Sequence, residues 1–520
     1  MKVVDHITIG VSDLERSRAF YARALAPLGF AERGPWSDAG NELSFGLPGA
    51  GDFAISTRPA VAPGTHVAFA ATSRAQVDAF HAAALAAGGR DNGAPGPRPE
   101  YSEHYYGAFV LDPDGCNVEA VCHAAPAVGD DGEERFGSGA PFSLGVEEEL
   151  FLVDPVSGAQ VNSSAAVIAR LGPHDGTVER ELHACQVELI TDVCRTVEEA
   201  VGTLAGLRRA VVATGAGLLG AATHPLAAEG DAEITDKERY ERIRELLGDA
   251  VATPVSGLHV HVGMPDARTA IRAFNGLRRH LPLLQALGAN SPFRHGRDTG
   301  LASAREVTMR GWPRSGVPRA LRDFDDFRAT AALLTRAADV PDYTWFWWKL
   351  RPHPRLGTVE IRALDAQSSL EDLSGLVALV HCLARHAADG DGGGALEPPG
   401  ELLDEGVFRA ARFGVAARLP DAEGRLRPVE ALLDELLATL APTARELDCA
   451  EELDSLRGLL ERGGGAGRQR ALHAIGGMGA LLREMTALTG AGPGALSSGS
   501  DGLGPATGPA SAAAARPAPR

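Results

Sequence analysis

Two periodicities of apolar residues divide this chain. In Val4-Asp5-His6-Ile7-Thr8-Ile9 apolar and polar positions alternate as in a strand, and from Asp13 to Leu28 the spacing becomes that of an amphipathic helix. The pattern returns with a period of 60: Gly64-Thr65-His66-Val67-Ala68-Phe69 answers the first strand, and Ala79-Phe80, Ala84-Leu85 and Gly89 answer Ala19-Phe20, Ala24-Leu25 and Gly29. The second copy's helix is predicted from Ser73 to Ala87, with Ser12 or Asp13 and Thr72 or Ser73 as N-caps and the glycines as stops. Short strands are predicted at Phe53 to Thr57, Ala108 to Leu111 and Asn117 to Val121, the last two joined by the turn Asp112-Pro113-Asp114-Gly115. One such copy cannot bury its sheet face alone, so two βαβββ units should pack as a single domain over residues 1–125.

A polar, glycine-rich stretch at 126–140 reads as a linker, and a second domain is expected over 141–489. Its helical candidates are Thr196 to Ala213, Asp236 to Leu247, Ala267 to Leu287, Leu370 to Ala388, Pro428 to Leu440 and Arg468 to Thr489. Residues 490–520 are dominated by Gly, Ala, Ser and Pro, a composition that buries too little apolar area to offset chain entropy, and are expected to be disordered.

Three strand-like segments between those helices break the usual rule for half-buried strands. Gly145-Val146-Glu147-Glu148-Glu149-Leu150-Phe151, Ser256-Gly257-Leu258-His259-Val260-His261-Val262-Gly263 and Gly357-Thr358-Val359-Glu360-Ile361-Arg362-Ala363-Leu364-Asp365 each place ionisable side chains two residues apart. Residues i and i+2 share a strand face, so Glu147 with Glu149, His259 with His261, and Glu360 with Arg362 would project as pairs. Such groups within apolar segments are costly unless something binds them, and a divalent cation holding a phosphate suits them. Against this, a glutamate triplet can be a solvated charge run, and a strand histidine can be a satisfied core residue. Glu181 and Glu188 lie seven apart and would share a face if their stretch were helical; surface carboxylates are the other reading. Trp345-Phe346-Trp347-Trp348 is either core packing or a pocket wall. Asn290-Ser291-Pro292-Phe293, with Arg294, Arg297 and Arg305 following, reads as a flexible loop whose arginines suit a carboxylate or a transferring phosphoryl group and which could close over a site.

Composition narrows the options. With 520 residues, 44% apolar and 23% charged, the chain is long enough for two or more buried cores. A formal charge of −18 argues against nucleic acid as a partner, and no stretch of about 18 uncharged apolar residues suggests a membrane span. The amino terminus runs straight into a strand pattern without a secretory signal, so a cytoplasmic protein is expected, and its six cysteines should be reduced and buried. Gly215-Ala216-Gly217-Leu218-Leu219-Gly220 spells a dinucleotide fingerprint but follows a helix instead of a strand, and it is set aside.

Across roughly the first 125 residues the duplicated unit resembles the vicinal-oxygen-chelate, or glyoxalase/bleomycin-resistance, superfamily. That resemblance implies a divalent metal held by His6, His66 and Glu119, with the fourth ligand position of the first copy, in Phe53-Ala54-Ile55-Ser56-Thr57, lacking a carboxylate or imidazole. A metal-free binding module stays open beside it.

The second domain resembles the carboxylate-amine ligases of the glutamate–cysteine ligase type 2 family. The landmarks are the 145–149 segment, Val187-Glu188-Leu189-Ile190-Thr191, the 256–263 segment, Asn290-Ser291-Pro292-Phe293, and Trp347-Trp348-Lys349-Leu350-Arg351-Pro352-His353-Pro354-Arg355-Leu356-Gly357-Thr358-Val359-Glu360-Ile361-Arg362. The whole chain is then α+β: a paired βαβββ module followed by a glutamine-synthetase-like antiparallel sheet with helices. The resemblance implies ATP and Mg²⁺, with Glu147, Glu149, Glu181, Glu188, His259 and Glu360 as metal ligands. Arg362 would face the phosphates and work with Glu360 in catalysis, His261 would lie on the nucleotide side, and Arg305 would meet the substrate carboxylate. The implied reaction joins the γ-carboxylate of L-glutamate to an amino acid amine such as that of L-cysteine. Two other readings place the activity in the first domain, as a metal-dependent lyase, isomerase or dioxygenase, or as a binder of small ligands. A homo-oligomer is compatible with all three.

Overall fold

Alternation over the first part of the chain resolves into two copies of one unit. The computed structural model describes residues 6–35, 40–47, 52–62, 64–71, 74–98, 101–102, 105–123, 135–390 and 398–490. The first copy comprises β1 (His6–Gly10), α1 (Leu14–Ala24), β2 (Ala31–Gly34), β3 (Glu42–Gly46) and β4 (Asp52–Ser56). The second comprises β5 (His66–Ala70), α2 (Arg74–Ala86), β6 (Arg90–Pro97), β7 (Tyr106–Leu111) and β8 (Asn117–Cys122). Their sheets have equivalent orders, β1-β4-β3-β2 and β5-β8-β7-β6, with the first pair of each parallel. Phe20, Tyr21, Phe45, Phe53, Phe69 and Phe80 lie in one core that draws on both copies, as the duplication predicts. Asp13 caps α1 by accepting the Arg16 amide at 3.0 Å, and the 112–115 turn closes with Gly115 at φ 87°. The expected caps at Thr72 and Ser73 lie outside the described residues.

The second unit begins earlier than its expected start. Within the segment anticipated as linker, the Arg135 amide donates to Pro354 O at 3.0 Å and the Gly137 amide to Met264 O at 2.9 Å, so 135–140 is part of the packed unit. The expected disordered stretch beyond Gly490 lies outside the described residues.

In chain order the second unit runs β9 (Leu144–Val153), α3 (Ser164–Ile168), β10 (Thr177–Arg180), β11 (Gln186–Ile190), α4 (Val197–Ala213), β12 (Gly217–Leu219), α5 (Glu238–Leu247), β13 (Gly257–Gly263), α6 (Ala267–Arg278), α7 (Leu281–Gly288), the hairpin β14 (Phe293–Arg294) and β15 (Arg297–Asp298), α8 (Ala304–Met309) and α9 (Phe324–Ala338). It continues through β16 (Leu350–His353), β17 (Thr358–Asp365), α10 (Leu370–Asp389), α11 (Gly400–Phe413), the short pair β18 (Arg418–Pro420) and β19 (Leu426–Pro428), α12 (Val429–Glu446), α13 (Ala450–Asp454), α14 (Leu456–Glu461) and α15 (Gly464–Gly490). The main sheet is antiparallel in the order β10-β11-β9-β13-β17-β16, with β12 paired to the far end of β9. The discarded glycine motif is indeed a helix followed by a strand.

One element expectation fails for a local reason. The single helix expected from Ala267 to Leu287 is two, because Pro282 lacks an amide donor and its ring opposes the carbonyl four residues back; the chain re-enters helix with the proline in its first turn. The stretch holding Glu181 and Glu188, whose shared face depended on its being helical, is a hairpin of β10 and β11.

One face of the main sheet is apolar. Val146, Leu150, Val187, Leu189, Leu258, Val260, Val262, Val359 and Ile361 are almost fully buried within the core formed with α4, α6 and α10. At roughly 1.5–3 kcal/mol per fully buried side chain, this face is the main contribution to the unit's stability. It carries one charge. Glu148 points into the core and accepts Arg208 Nε of α4 at 2.9 Å, with a second bond to Nη2; the same guanidinium reaches Gln367 O (2.8 Å), Ser368 O (3.0 Å) and Thr489 O (3.3 Å). The pair thereby ties α4, the start of α10 and the end of α15 to the central strand.

Arg208→Met leaves Glu148 without a cationic partner and should lower stability by about 3–5 kcal/mol in urea unfolding, whereas the double change Glu148→Leu/Arg208→Met should recover much of that loss.

Candidate active site

The register of the sheet decides which ionisable groups meet. Glu147 lies opposite His259 and Glu149 opposite Glu188, while His261 and Arg351 flank Glu360 from the two neighbouring strands. All project from the face opposite the apolar core. Between β13 and β17 the pairing shifts: Leu258 opposes Leu364, but Val260 opposes Ile361. This bulge brings Arg362 alongside His259, with Nη1 3.5 Å from the imidazole Nδ1. Glu181, on the turn after β10, completes the group.

Ligand atoms come within 4.8 Å of one another in three sets: Glu147, Glu188 and His259; Glu147, His261 and Glu360; and Glu149, Glu181 and Glu188. Glu147 and Glu188 are each shared by two sets. His259 Nδ1 lies 3.1 Å from Glu147 Oε2, and His261 Nδ1 lies 3.0 Å from Thr358 Oγ1. The other ring nitrogens, His259 Nε2 and His261 Nε2, are buried without a hydrogen-bond partner; their nearest carboxylate oxygens are 3.6 Å (Glu149) and 3.3 Å (Glu147) away. Orphaned imidazole nitrogens beside hard carboxylate oxygens suit a divalent cation, and these residues could hold more than one.

The electrostatics show the same excess of negative charge. Burial, and then Glu149, pushes Glu181 up to about 7. Burial together with Glu147, Glu181 and Glu149 raises Glu188 well above the usual carboxylate range. Burial would also raise Glu147, but the charges and hydrogen bonds of His261 and His259 bring it well below that range. Glu360 is likewise pulled far down against burial by Arg351, Arg362 and His261. His259 is held below its ordinary value by burial and by Arg362, whereas Glu147 and Glu360 outweigh burial and raise His261.

A cavity of about 210 Å³ opens over this face. Glu149, Glu181, Glu188 and His259 line it together with Arg239, Arg305, Arg351 and Arg362, and Trp312 and Trp347 add apolar wall. Beside two of its lining residues, Arg305 and His259, the chain needs a glycine for a reason of space. A Cβ at Gly257 would stand 2.6 Å from Arg305 Nη2 and 3.0 Å from His259 Nε2, while the Gly257 amide donates to Glu149 Oε2 at 2.5 Å. A larger groove of about 440 Å³ among α7, α11 and α12, lined by Leu283, Leu402, Leu403 and Leu432, holds none of the expected ligands.

Arg351 is the functional neighbour that sequence reasoning passed over. Its guanidinium bonds Glu360 directly and reaches Thr344 O at 3.1 Å and Phe346 O at 3.2 Å, while Arg362 Nη1 meets Glu360 Oε1 at 2.5 Å. Arg351 stood inside a quoted motif; only the β16–β17 register shows it opposite Glu360. Tyr240 was also missed, because α5 is distant in sequence; its hydroxyl lies 3.4 Å from Glu181 Oε2. The loop reading of 290–305 needs correction: Asn290 and Ser291 are buried, and the following residues form the β14–β15 hairpin. Arg294 and Arg297 are not among the residues lining the cavity; Arg305 is.

In the first unit, His66 Nε2 lies 2.8 Å from Glu119 Oε2, and the Tyr105 hydroxyl donates to Glu119 Oε1 at 2.5 Å. Register makes Ala54 the first-copy counterpart of Glu119, since Thr8 pairs with Ala54 as Ala68 pairs with Glu119. Among the described residues His6, His66 and Glu119 do not form a set of ligand atoms within 4.8 Å. Both oxygens of Glu119 are already engaged, and no chemistry through a metal follows from this geometry. The six cysteines are free and buried, and no helix of the described residues is long and apolar enough to cross a membrane.

The family described as glutamate-cysteine ligase family 2 matches residues 143–487, and the glyoxalase/bleomycin resistance protein/dioxygenase superfamily matches residues 3–120. A provisionally named glutamate–cysteine ligase 2-3 of Rubrobacter xylanophilus is 40% identical over 352 residues, covering 66% of this chain and 95% of that protein. A similarly named protein of Mycolicibacterium smegmatis is 37% identical over 344 residues, covering 64% and 90%. Among solved structures, the glutamate–cysteine ligase of Francisella tularensis in complex with AMP superposes with a TM-score of 0.51 at 14% identity, covering 67% of this chain and 88% of that one, a likeness of fold.

Added Mg²⁺ or Mn²⁺ should raise the thermal midpoint of the wild-type protein. Glu188→Gln, which mimics the neutral carboxyl, should leave the metal-free midpoint unchanged or higher and abolish most of the metal-induced rise in a thermal-shift titration.

Proposed function

Since this chain belongs to the glutamate–cysteine ligase family 2, a family of ATP-dependent carboxylate-amine ligases, and carries an N-terminal glyoxalase/bleomycin-resistance domain, we propose that it joins the γ-carboxylate of L-glutamate to the amine of L-cysteine on the carboxylate-lined sheet face. The observation that carries this reading is the grouping of Glu147, Glu149, Glu181, Glu188, His259, His261 and Glu360 into three linked ligand sets beside a cavity that Arg239, Arg305, Arg351 and Arg362 also line.

A carboxylate does not condense with an amine in water, because its carbon is a poor electrophile and oxide a poor leaving group. Transfer of the ATP γ-phosphoryl gives an acyl phosphate and ADP; the amine then attacks the carbonyl, loses a proton and displaces phosphate. The carboxylates and His259 would hold Mg²⁺, whose chemistry there is to neutralise the triphosphate. Arg362, kept cationic by Glu360 against the opposing effect of burial, stands where it would meet charge developing on the transferring phosphoryl group. Glu360 holds Arg362 and Arg351 in place and shares a ligand set with His261, which sits on the nucleotide side. Arg305 is 94% buried yet lines the cavity, and its Nε has no hydrogen-bond partner, which suits a substrate carboxylate. Trp312 and Trp347 limit water at the acyl phosphate, which would otherwise hydrolyse. The readings that place the activity in the first domain are not favoured, because the ligase family match spans the larger unit and the three ligand sets all lie there.

With glutamate, cysteine and ATP, the wild-type protein should release phosphate and form γ-glutamylcysteine. Glu147→Ala should reduce that rate at least about a hundredfold while circular dichroism stays native, whereas Glu119→Ala in the first domain should leave it unchanged. Product formation by Glu147→Ala at the wild-type rate, or phosphate release only with some other amine, would refute the site or the acceptor respectively.

A further inference from the structure

Asp365 ends β17 just beyond the bulge, opposite Gly257, and is fully buried, yet it belongs to none of the ligand sets described above. Its carboxylate gathers a knot. Oδ2 accepts the Asn290 amide and the Ser291 hydroxyl, both at 2.8 Å, and Oδ1 accepts the Ser303 hydroxyl at 3.0 Å. Both serines pass the constraint on. Ser291 Oγ accepts the Arg305 backbone amide at 3.2 Å, and Ser303 Oγ accepts the Glu306 amide at 3.2 Å as the N-cap of α8. Asn290 anchors the other side, donating to Gly220 O at 2.9 Å and Ala366 O at 2.8 Å. The Arg305 guanidinium lies with Nη1 3.8 Å from Asp365 Oδ1 and Nη2 donating to Arg362 O at 3.2 Å.

Charge gives this knot a purpose. Arg305 lines the cavity beside Arg362 and close to Lys349, two further cations. Its neighbour in sequence, Glu306, is occupied by Lys349 and by Arg310 Nε at 3.1 Å, and the carboxylate that Arg305 pairs with is Asp365. Asp365 therefore supplies both the counter-charge behind Arg305 and, through Ser291 and Ser303, the backbone frame that carries it. Without it, Arg305 would be repelled by its cationic neighbours and gain hydration by turning towards solvent.

We propose that Asp365 is a positioning residue for the ligation reaction, fixing the Arg305 guanidinium in the cavity where it receives the carboxylate of the amino acid substrate. This rests on the ligase reading above, and its test separates the two. Asp365→Asn keeps the shape and removes the charge; it should raise KM for glutamate at least about tenfold while KM for ATP moves less than about twofold. In an Arg305→Ala background the same change should have almost no further effect on glutamate KM, because the group through which Asp365 acts is gone. A crystal structure of Asp365→Asn should show the guanidinium displaced from Arg362 O. Equal penalties in both backgrounds, or an undisplaced Arg305, would overturn the proposal. Should Asp365→Asn fail to fold, Ser291→Ala, which cuts the bridge to the Arg305 backbone, carries the same three comparisons. A wild-type protein that consumes no ATP with glutamate would refute the ligase reading, and the position of Arg305 in the variant crystal would still decide this one.

Discussion

Mutual repulsion among Glu147, Glu149, Glu181 and Glu188 is the constraint around which the second unit is arranged. Four carboxylates on one buried sheet face cannot all ionise without a counter-charge, and Glu181 and Glu188 are accordingly pushed upward by burial and by their neighbours. A protein tolerates such a cluster only where the rest of the fold is stable enough to impose it. That stability comes from the opposite face, where the apolar residues of the same strands pack on α4, α6 and α10. The alternation of a strand makes both possible: each of these ionisable residues is followed by one buried on the opposite face.

The positive side of the cavity is organised by paired charges. Arg351 and Arg362 share Glu360, Lys349 and Arg310 share Glu306, and Arg208 satisfies Glu148 on the far face. Each of these cations has a named carboxylate, so guanidinium groups can be held at the cavity without drifting to water. The cavity is thus lined both by fixed cations, Arg239, Arg305, Arg351 and Arg362, and by the carboxylates of Glu149, Glu181 and Glu188. Electrostatic preorganisation of this kind suits transfer of a phosphoryl group, where charge is redistributed more than bonds are strained.

Much of this was legible in the letters because strand periodicity is local. Glu147 with Glu149 and His259 with His261 could be placed on shared faces from spacing alone, and the duplicated unit announced itself by its period. Failures came where a partner lies far along the chain. Arg351 and Tyr240 reach the site through register and helix placement that no local pattern carries. Asn290 and Ser291 looked like a polar loop, yet Asp365 and Asn290's own carbonyl contacts bury them, since a polar segment is stable inside when every donor finds an acceptor. Glu181 and Glu188, seven apart, would have shared a face in a helix; the β10–β11 hairpin brings them near one another instead.

By itself the sequence determined the two-unit organisation, the βαβββ repeat and the chemical character of each strand face, because these follow from alternation and composition within a few residues. Only the tertiary structure decided that Glu148 is a core ion pair while Glu147 and Glu149 project from the opposite face, that Ala54 is the first-copy counterpart of Glu119, and that Asp365 pairs with Arg305. Those outcomes depend on strand register and on charges brought together from positions far apart, and both are fixed only when the whole sheet is paired.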